Sequence, residues 1–181
     1  MLSGFPSAQF SDGRNLRIVC VEVVLAAAAL LFLRARKHDI RPLYPEPTLC
    51  GALLGVGLFF VCGLVGEIVT APFHTPENPG IIEFSFSGVT LSSTILMAMV
   101  NGTFEEIFLL GVLVRGLRGF GLSVAIGFPL LVRLLYHLYQ GPVGVLWVSV
   151  FGVTLSLTYL KTSQLWPPVL AHILWDIVPT L

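Results

Sequence analysis

The sequence predicts an all-α, polytopic membrane bundle of about six transmembrane helices with a central polar pocket, and three observations carry that expectation. The 181 residues are 55% hydrophobic and only 11% charged, where soluble globular chains are roughly 25% charged; the mean hydropathy is +0.89. Apolar stretches recur along nearly the whole length, long enough for a hydrocarbon core that takes about 20 helical residues to cross. Helices satisfy their own backbone hydrogen bonds in lipid, so such stretches read as α-helical spans. Finally, Glu, His and Asp residues sit deep in three separate stretches, as expected of spans that turn polar groups towards one another rather than towards lipid.

The first span is expected from about Ile18 to Leu33, ending in the basic run Arg34-Ala-Arg36-Lys37. A proline-containing loop, 38–47, leads to a second span at about Thr48 to Val69. Pro72, Pro76 and Pro79 rule out a continuous helix through 71–79, which belongs outside the bilayer. From about Ser87 to Val114 the chain is helix-compatible for longer than one perpendicular crossing needs, so the span is either tilted or interrupted near Asn101-Gly102. Leu122 to Tyr139 is apolar but carries Gly127 and Pro129, which predict a kink or an interfacial segment before Pro129. Gln140-Gly-Pro142 is a turn signal; Val143 to Leu160 and Leu165 to Leu181 form the last two spans, with Pro167 and Pro168 near the start of the second.

The basic residues at 34–41, at 115–118 and at Lys161 fall at alternate span ends and would share the cytoplasmic side, with Glu77 and Glu83 facing away. Both termini are then outside, an assignment that Arg14 and Arg17 oppose. The whole chain, 1–181, reads as one integral membrane domain. Ten basic and ten acidic residues cancel, which gives no electrostatic case for nucleic acid. Cys20, Cys50 and Cys62 stand singly, without CxxC or CxxH spacing, and read as small buried hydrophobes. The first apolar run exceeds a signal-peptide core and leads directly into a basic loop, so cleavage is not expected.

Ionisable residues in a bilayer cost a few kcal/mol each on insertion scales and mark sites by default. Here they are Glu105 and Glu106, His137 with Arg133 one turn before it, and His172 with Asp176 one turn after it. Neighbours on a helix diverge by about 100°, so only one of the two glutamates faces a given centre. His172 and Asp176, four apart, share a face, and the carboxylate is placed to orient the imidazole. His137 has no carboxylate in its own turn, and Glu105 is its first expected partner. A carboxylate with two histidines supports either base-activated water with a histidine-stabilised oxyanion, or a divalent metal such as zinc with Glu106 as base. HExxH spacing is absent, the two histidines lying thirty-five residues apart. Arg133 either snorkels to an interface or reaches the pocket. Tyr136, Tyr139 and Gln140 are interfacial anchors in one reading, Tyr139 and Gln140 substrate contacts in the other. Asn101 caps a helix or lines the cavity, and His38 and His74 belong to loops.

Together these segments resemble the CAAX protease and bacteriocin-processing (CPBP or ABI) family of intramembrane proteases. Its first motif, a Glu-Glu pair followed after three residues by arginine and then typically glycine, is matched by Glu105-Glu106-Ile-Phe-Leu-Leu110-Gly111. Its second, Phe four residues before His, is matched by Arg133-Leu-Leu-Tyr-His137, and its third, His followed after three residues by Asn or Asp, by His172-Ile-Leu-Trp-Asp176. The resemblance covers about 92–179. There are two departures: Leu110 stands where the family has arginine, and Arg133 where it has phenylalanine. Either Arg133 supplies in space the charge missing at Leu110, or the chain is a divergent or inactive member retained for binding.

The resemblance implies hydrolysis of a peptide bond near the membrane surface of a lipidated or membrane-anchored protein. In it Glu105 activates water with His137, His172 and Asp176 stabilise the oxyanion or orient substrate, and Glu106 supports them, with Arg133, Tyr139 and Gln140 as electrostatic or substrate contacts. No cofactor is implied, while the motifs leave a divalent metal open. The short chain points to a prokaryotic inner membrane. A catalytically weakened binding or immunity protein and an ion or proton translocator are the competing readings; paired repeats and twin interrupted helices, which would favour transport, are missing.

Overall fold

Capping residues and a few backbone positions set helix ends that hydropathy alone places only approximately. The structure, a computed structural model, describes residues 11–74 and 89–178; the acidic connection with Glu77 and Glu83 lies outside them. Helix α1, Asp12–Ala35, begins earlier than the expected Ile18 because Ser11 Oγ accepts from Arg14 N at 3.2 Å and caps it there. Arg14 and Arg17 therefore lie in its first turns rather than before it. In the following loop the Arg41 side chain and backbone N–H both donate to Asp39, which holds the Asp39 carboxyl below its usual range. That turn presents Leu43, which is buried.

Helix α2, Leu49–Thr70, is capped by Thr48. One face is built of small residues: Gly51, Gly55, Cys62, Gly66 and Thr70, with Leu58 between them, are buried. A Cβ on Gly55 would lie 2.9 Å from the Pro167 carbonyl oxygen, and one on Gly66 would overlap the Trp147 indole. Small residues let backbones approach in lipid, where the gain comes from close packing rather than water exclusion. Cys62 is fully buried as expected, whereas Cys20 and Cys50 lie on outward faces; all three are free.

Helix α3, Leu91–Glu106, is capped by Thr90 and runs unbroken through Asn101-Gly102, so the interruption considered there is absent. The irregularity comes later, as an eight-residue π-helical segment, Ile107–Val114, directly after the glutamate pair. Gly102 serves contact instead: a Cβ there would lie 3.1 Å from the Ile173 side chain and 3.2 Å from its backbone N. A short turn at Arg118–Phe120 and Gly121, at φ 96°, close the segment.

Helix α4, Leu122–His137, continues through the buried Pro129, so no separate interfacial segment precedes that proline. The chain reverses through Leu138–Gln140 and Gly141 (φ 73°), as the Gln-Gly-Pro signal predicts, into α5, Gly141–Thr162. Pro167 and Pro168 occupy the first turn of α6, Trp166–Ile177, where missing N–H groups cost nothing.

Helix α6 packs against both α2 and α3, α1 against α3, α5 against α2, and α4 against α5. A polar clamp sets the register of α1: Asp12 accepts from Thr90 N at 2.8 Å and from the Ser93 hydroxyl, which also accepts from Asn15 Nδ2. The two helices thus start side by side. Leu58, Cys62, Leu110, Phe151, Leu155 and Leu165 belong to the apolar core. The described residues are helical with no strand, and four stretches are long and apolar enough to cross a membrane: Asp12–Ala35, Leu49–Phe73, Leu91–Phe120 and Leu122–Thr162. The last spans 41 residues and contains the reversal at Gly141.

Candidate active site

The divergence of adjacent helical side chains separates the glutamate pair into two environments. Glu106 points inward and is 0% exposed, while Glu105 is only partly buried. A lone carboxylate in such a place would be prohibitively costly, so it must be paired and hydrogen-bonded. Glu106 Oε1 meets Arg133 Nη2 of α4 at 2.7 Å and His172 Nδ1 of α6 at 2.6 Å. Glu106 Oε2 is buried without a hydrogen-bond partner among the described residues.

Arg133 reaches this position because α5 gives it room. A Cβ on Gly152 would lie 3.2 Å from Arg133 Cδ, so the arginine stem passes over bare backbone. Its guanidinium stands 5.4 Å from the centre of the Phe151 ring, and that ring meets His172 edge-on at 5.3 Å. Leu110, four residues after Glu106 and 1% exposed, lies within the apolar core. The positive charge beside Glu106 therefore comes from Arg133 on α4 and not from position 110. Gly111 admits close neighbours: a Cβ there would lie 3.0 Å from Leu43 and 3.3 Å from Leu165.

Around Glu105 the partners differ from expectation. Its Oε2 accepts from the Tyr136 hydroxyl at 2.7 Å. His137, its expected partner, forms its hydrogen bond to the Arg133 backbone carbonyl, at 2.9 Å through Nδ1. A carbonyl only accepts, so Nδ1 carries the proton, and in the neutral ring Nε2 is left as a lone pair. Tyr136 stands next to both, its hydroxyl on Glu105 and its ring centre 4.6 Å from that of His137. On α6, His172 Nε2 lies 3.7 Å from Asp176 Oδ1, beyond hydrogen-bond range, and Asp176 Oδ2 accepts from Asn101 Nδ2 at 3.0 Å. Asn101 therefore does not cap a helix; it lies within α3 and holds the Asp176 carboxylate. Tyr139 stacks near His137, with ring centres 6.2 Å apart, and accepts from Gln140 Nε2 at 3.4 Å; both lie in the turn that follows α4, Tyr139 exposed and Gln140 half-buried. No group of three or more His, Cys, Asp or Glu side chains among the described residues has metal-ligand spacing.

Three helices thus converge a carboxylate, an arginine and a histidine in the buried interior, with a second carboxylate and a second histidine on the more open side. A family model for Type II CAAX prenyl endopeptidase Rce1-like proteins matches residues 86–178. The chain belongs to this Rce1-like family. The matched stretch holds Glu105, Glu106, Arg133, His137, His172 and Asp176, whereas α1 and α2 lie before it. Comparison with curated proteins and with solved structures gave no match. Within this Rce1-like frame, sequence reasoning overlooked Tyr136 as the partner of Glu105, Gly152 as the gap for Arg133, and Glu22 of α1. Glu22 carried a readable signal, an acidic residue inside an apolar span, the same rule that singled out Glu105.

Proposed function

We propose that the chain is an intramembrane endopeptidase hydrolysing a peptide bond near the membrane surface of a lipidated or membrane-anchored protein, with Glu105 and His137 activating water. The observation that carries this reading is the double engagement of Glu106 by Arg133 and His172. It holds a buried histidine in a fixed orientation, although the motif arginine is absent.

In this reading a water sits between Glu105 and His137 Nε2. Glu105 takes its proton as the oxygen attacks the scissile carbonyl carbon, then passes that proton to the leaving amine as the C–N bond breaks. The products are a carboxylic acid and an amine. His172 carries both ring protons, one donated to Glu106, and offers Nε2–H to the developing oxyanion, while Asp176, held by Asn101, sits alongside. Glu106 is a positioning group rather than the base, because both its hydrogen bonds already hold structure together. In the same reading Tyr139 and Gln140, in the turn after α4, contact substrate. The helices form six crossings around a central polar pocket, with the basic ends on the cytoplasmic side of a prokaryotic inner membrane.

Purified protein in detergent, given prenylated and membrane-anchored peptides, tests this directly. Wild type is expected to cleave and Glu105→Gln to lose at least about 100-fold, the usual size of a general-base contribution. Activity that survives chelation supports the metal-free mechanism, and activity abolished by chelation and restored by zinc would replace it with a metal-assisted one. Robust cleavage by folded Glu105→Gln would remove the assignment.

A further inference from the structure

In the proposed mechanism the developing oxyanion has one N–H donor, Nε2–H of His172, and Asp176 stands beside it. Beside a doubly protonated His172, Asp176 is the ionised partner; an ionised carboxylate has no proton to donate and repels an oxyanion. The amide that touches it has protons to spare. Asn101 Nδ2 lies 3.0 Å from Asp176 Oδ2. A carboxylate only accepts, so the amide nitrogen rather than its oxygen faces Asp176, and the NH2 group uses one of its two protons there. The second N–H has no partner among the described residues.

Asn101 and Glu105, four apart on α3, share a face, as His172 and Asp176 do on α6. These helices pack together closely, since a Cβ on Gly102 would lie 3.5 Å from His172 Cβ. Asp176 meets Asn101 through Oδ2, while its Oδ1 stands 3.7 Å from His172 Nε2, a gap that leaves Nε2–H unengaged. One carboxylate is thus flanked by two N–H groups that are free to donate. Asn101 and Asp176 are only partly buried, whereas Glu106 is closed off.

We propose that Asn101 is a further catalytic residue of this centre, donating its second side-chain N–H to the oxyanion alongside His172, while Asp176 holds the amide in place and does not itself touch the oxyanion. The inference rests on the proposed protease reading. Oxyanion sites are built from converging, preorganised donors, and the Asn101–Asp176 bond fixes the amide before substrate arrives. A residue that only tied α3 to α6 through Asp176 would lose its effect once that carboxylate is gone. A donor to the oxyanion would keep it.

The test is a double-mutant cycle: kcat and KM for a prenylated peptide with wild type, Asn101→Leu, Asp176→Ala and the double variant, with Glu105→Gln alongside and melting measured for each. Asn101→Leu keeps the shape and removes both N–H groups; Asn101→Ala is the second variant, read in its place if the leucine variant melts low. The expected result is a fall of about 100-fold in kcat with KM little changed, the usual cost of deleting one oxyanion donor. A peptide phosphinate, a stable anionic mimic of the tetrahedral intermediate, is expected to lose affinity in parallel while the substrate does not. The same substitution is expected to lower kcat further in the Asp176→Ala background. With Glu105→Gln inactive, an unchanged kcat in the Asn101 variants, or no further loss once Asp176 is alanine, would overturn this inference alone. Cleavage retained by Glu105→Gln would remove the proposed function and this inference with it.

Discussion

Arg133 donates to the buried Glu106, and in the proposed mechanism it replaces a charge that the sequence motif places at position 110. Removing one partner of a buried ion pair leaves the other uncompensated, at a cost of about 3–5 kcal/mol. Arg133→Phe is therefore expected to lower the melting temperature and abolish cleavage. Adding Leu110→Arg to it restores the family arrangement, since positions 106 and 110 share a helix face. The double variant should recover part of both activity and stability, and a double variant no better than Arg133→Phe would sink the exchange. Tyr136 makes a smaller claim. Tyr136→Phe deletes one hydrogen bond to Glu105, and a bond to a charged group is worth about 1.5–3 kcal/mol, so kcat is expected to fall about tenfold or more with melting little changed. These partners were not equally legible in the sequence. Arg133 was marked by its charge within an apolar stretch, whereas Tyr136 looked like an interfacial anchor, because no local pattern reveals which carboxylate a tyrosine meets across a helix pair.

At the scale of elements, the contact between α3 and α6 decides the geometry. Both the Glu106–His172 and the Asn101–Asp176 bonds cross it, and Gly102 sets its spacing. Gly102→Val would push against the Ile173 backbone, and a displacement near 1 Å is expected to cost about 100-fold in kcat/KM. Gly127 provides the control. Nothing lies within 4 Å of a Cβ there, so Gly127→Ala is expected to keep activity and to raise stability slightly, by up to about 1 kcal/mol from helix propensity. Equal losses in the two variants, read by cleavage and thermal melting, would contradict the close-approach account. Hydropathy foresaw the existence and order of the helices, and the turn at Gly141, but not their internal character. Asn101-Gly102 and Pro129 looked like breaks because glycine and proline are read as punctuation. In the bundle they are sites of close packing, and the π-helical segment after Glu106 has no signature in composition.

For the whole molecule, the site draws on α3, α4 and α6, with α1 packed against α3. Depth in the membrane follows from topology. Lys37→Cys and Lys161→Cys, in a background with Cys20, Cys50 and Cys62 replaced, are expected to react with an impermeant thiol reagent from the same side, and His74→Cys from the opposite side. Labelling of Lys37→Cys and Lys161→Cys from opposite sides would break the proposed six-crossing arrangement. The central claim is that Glu105 drives hydrolysis at the edge of the bilayer. It is tested most directly in liposomes, by comparing one scissile sequence on a lipid-anchored protein and on a soluble peptide, with wild type and folded Glu105→Gln side by side. The account predicts rapid cleavage of the anchored substrate by wild type, slower cleavage of the soluble peptide, and none of either by Glu105→Gln. Cleavage of the anchored substrate by Glu105→Gln at the wild-type rate would contradict it.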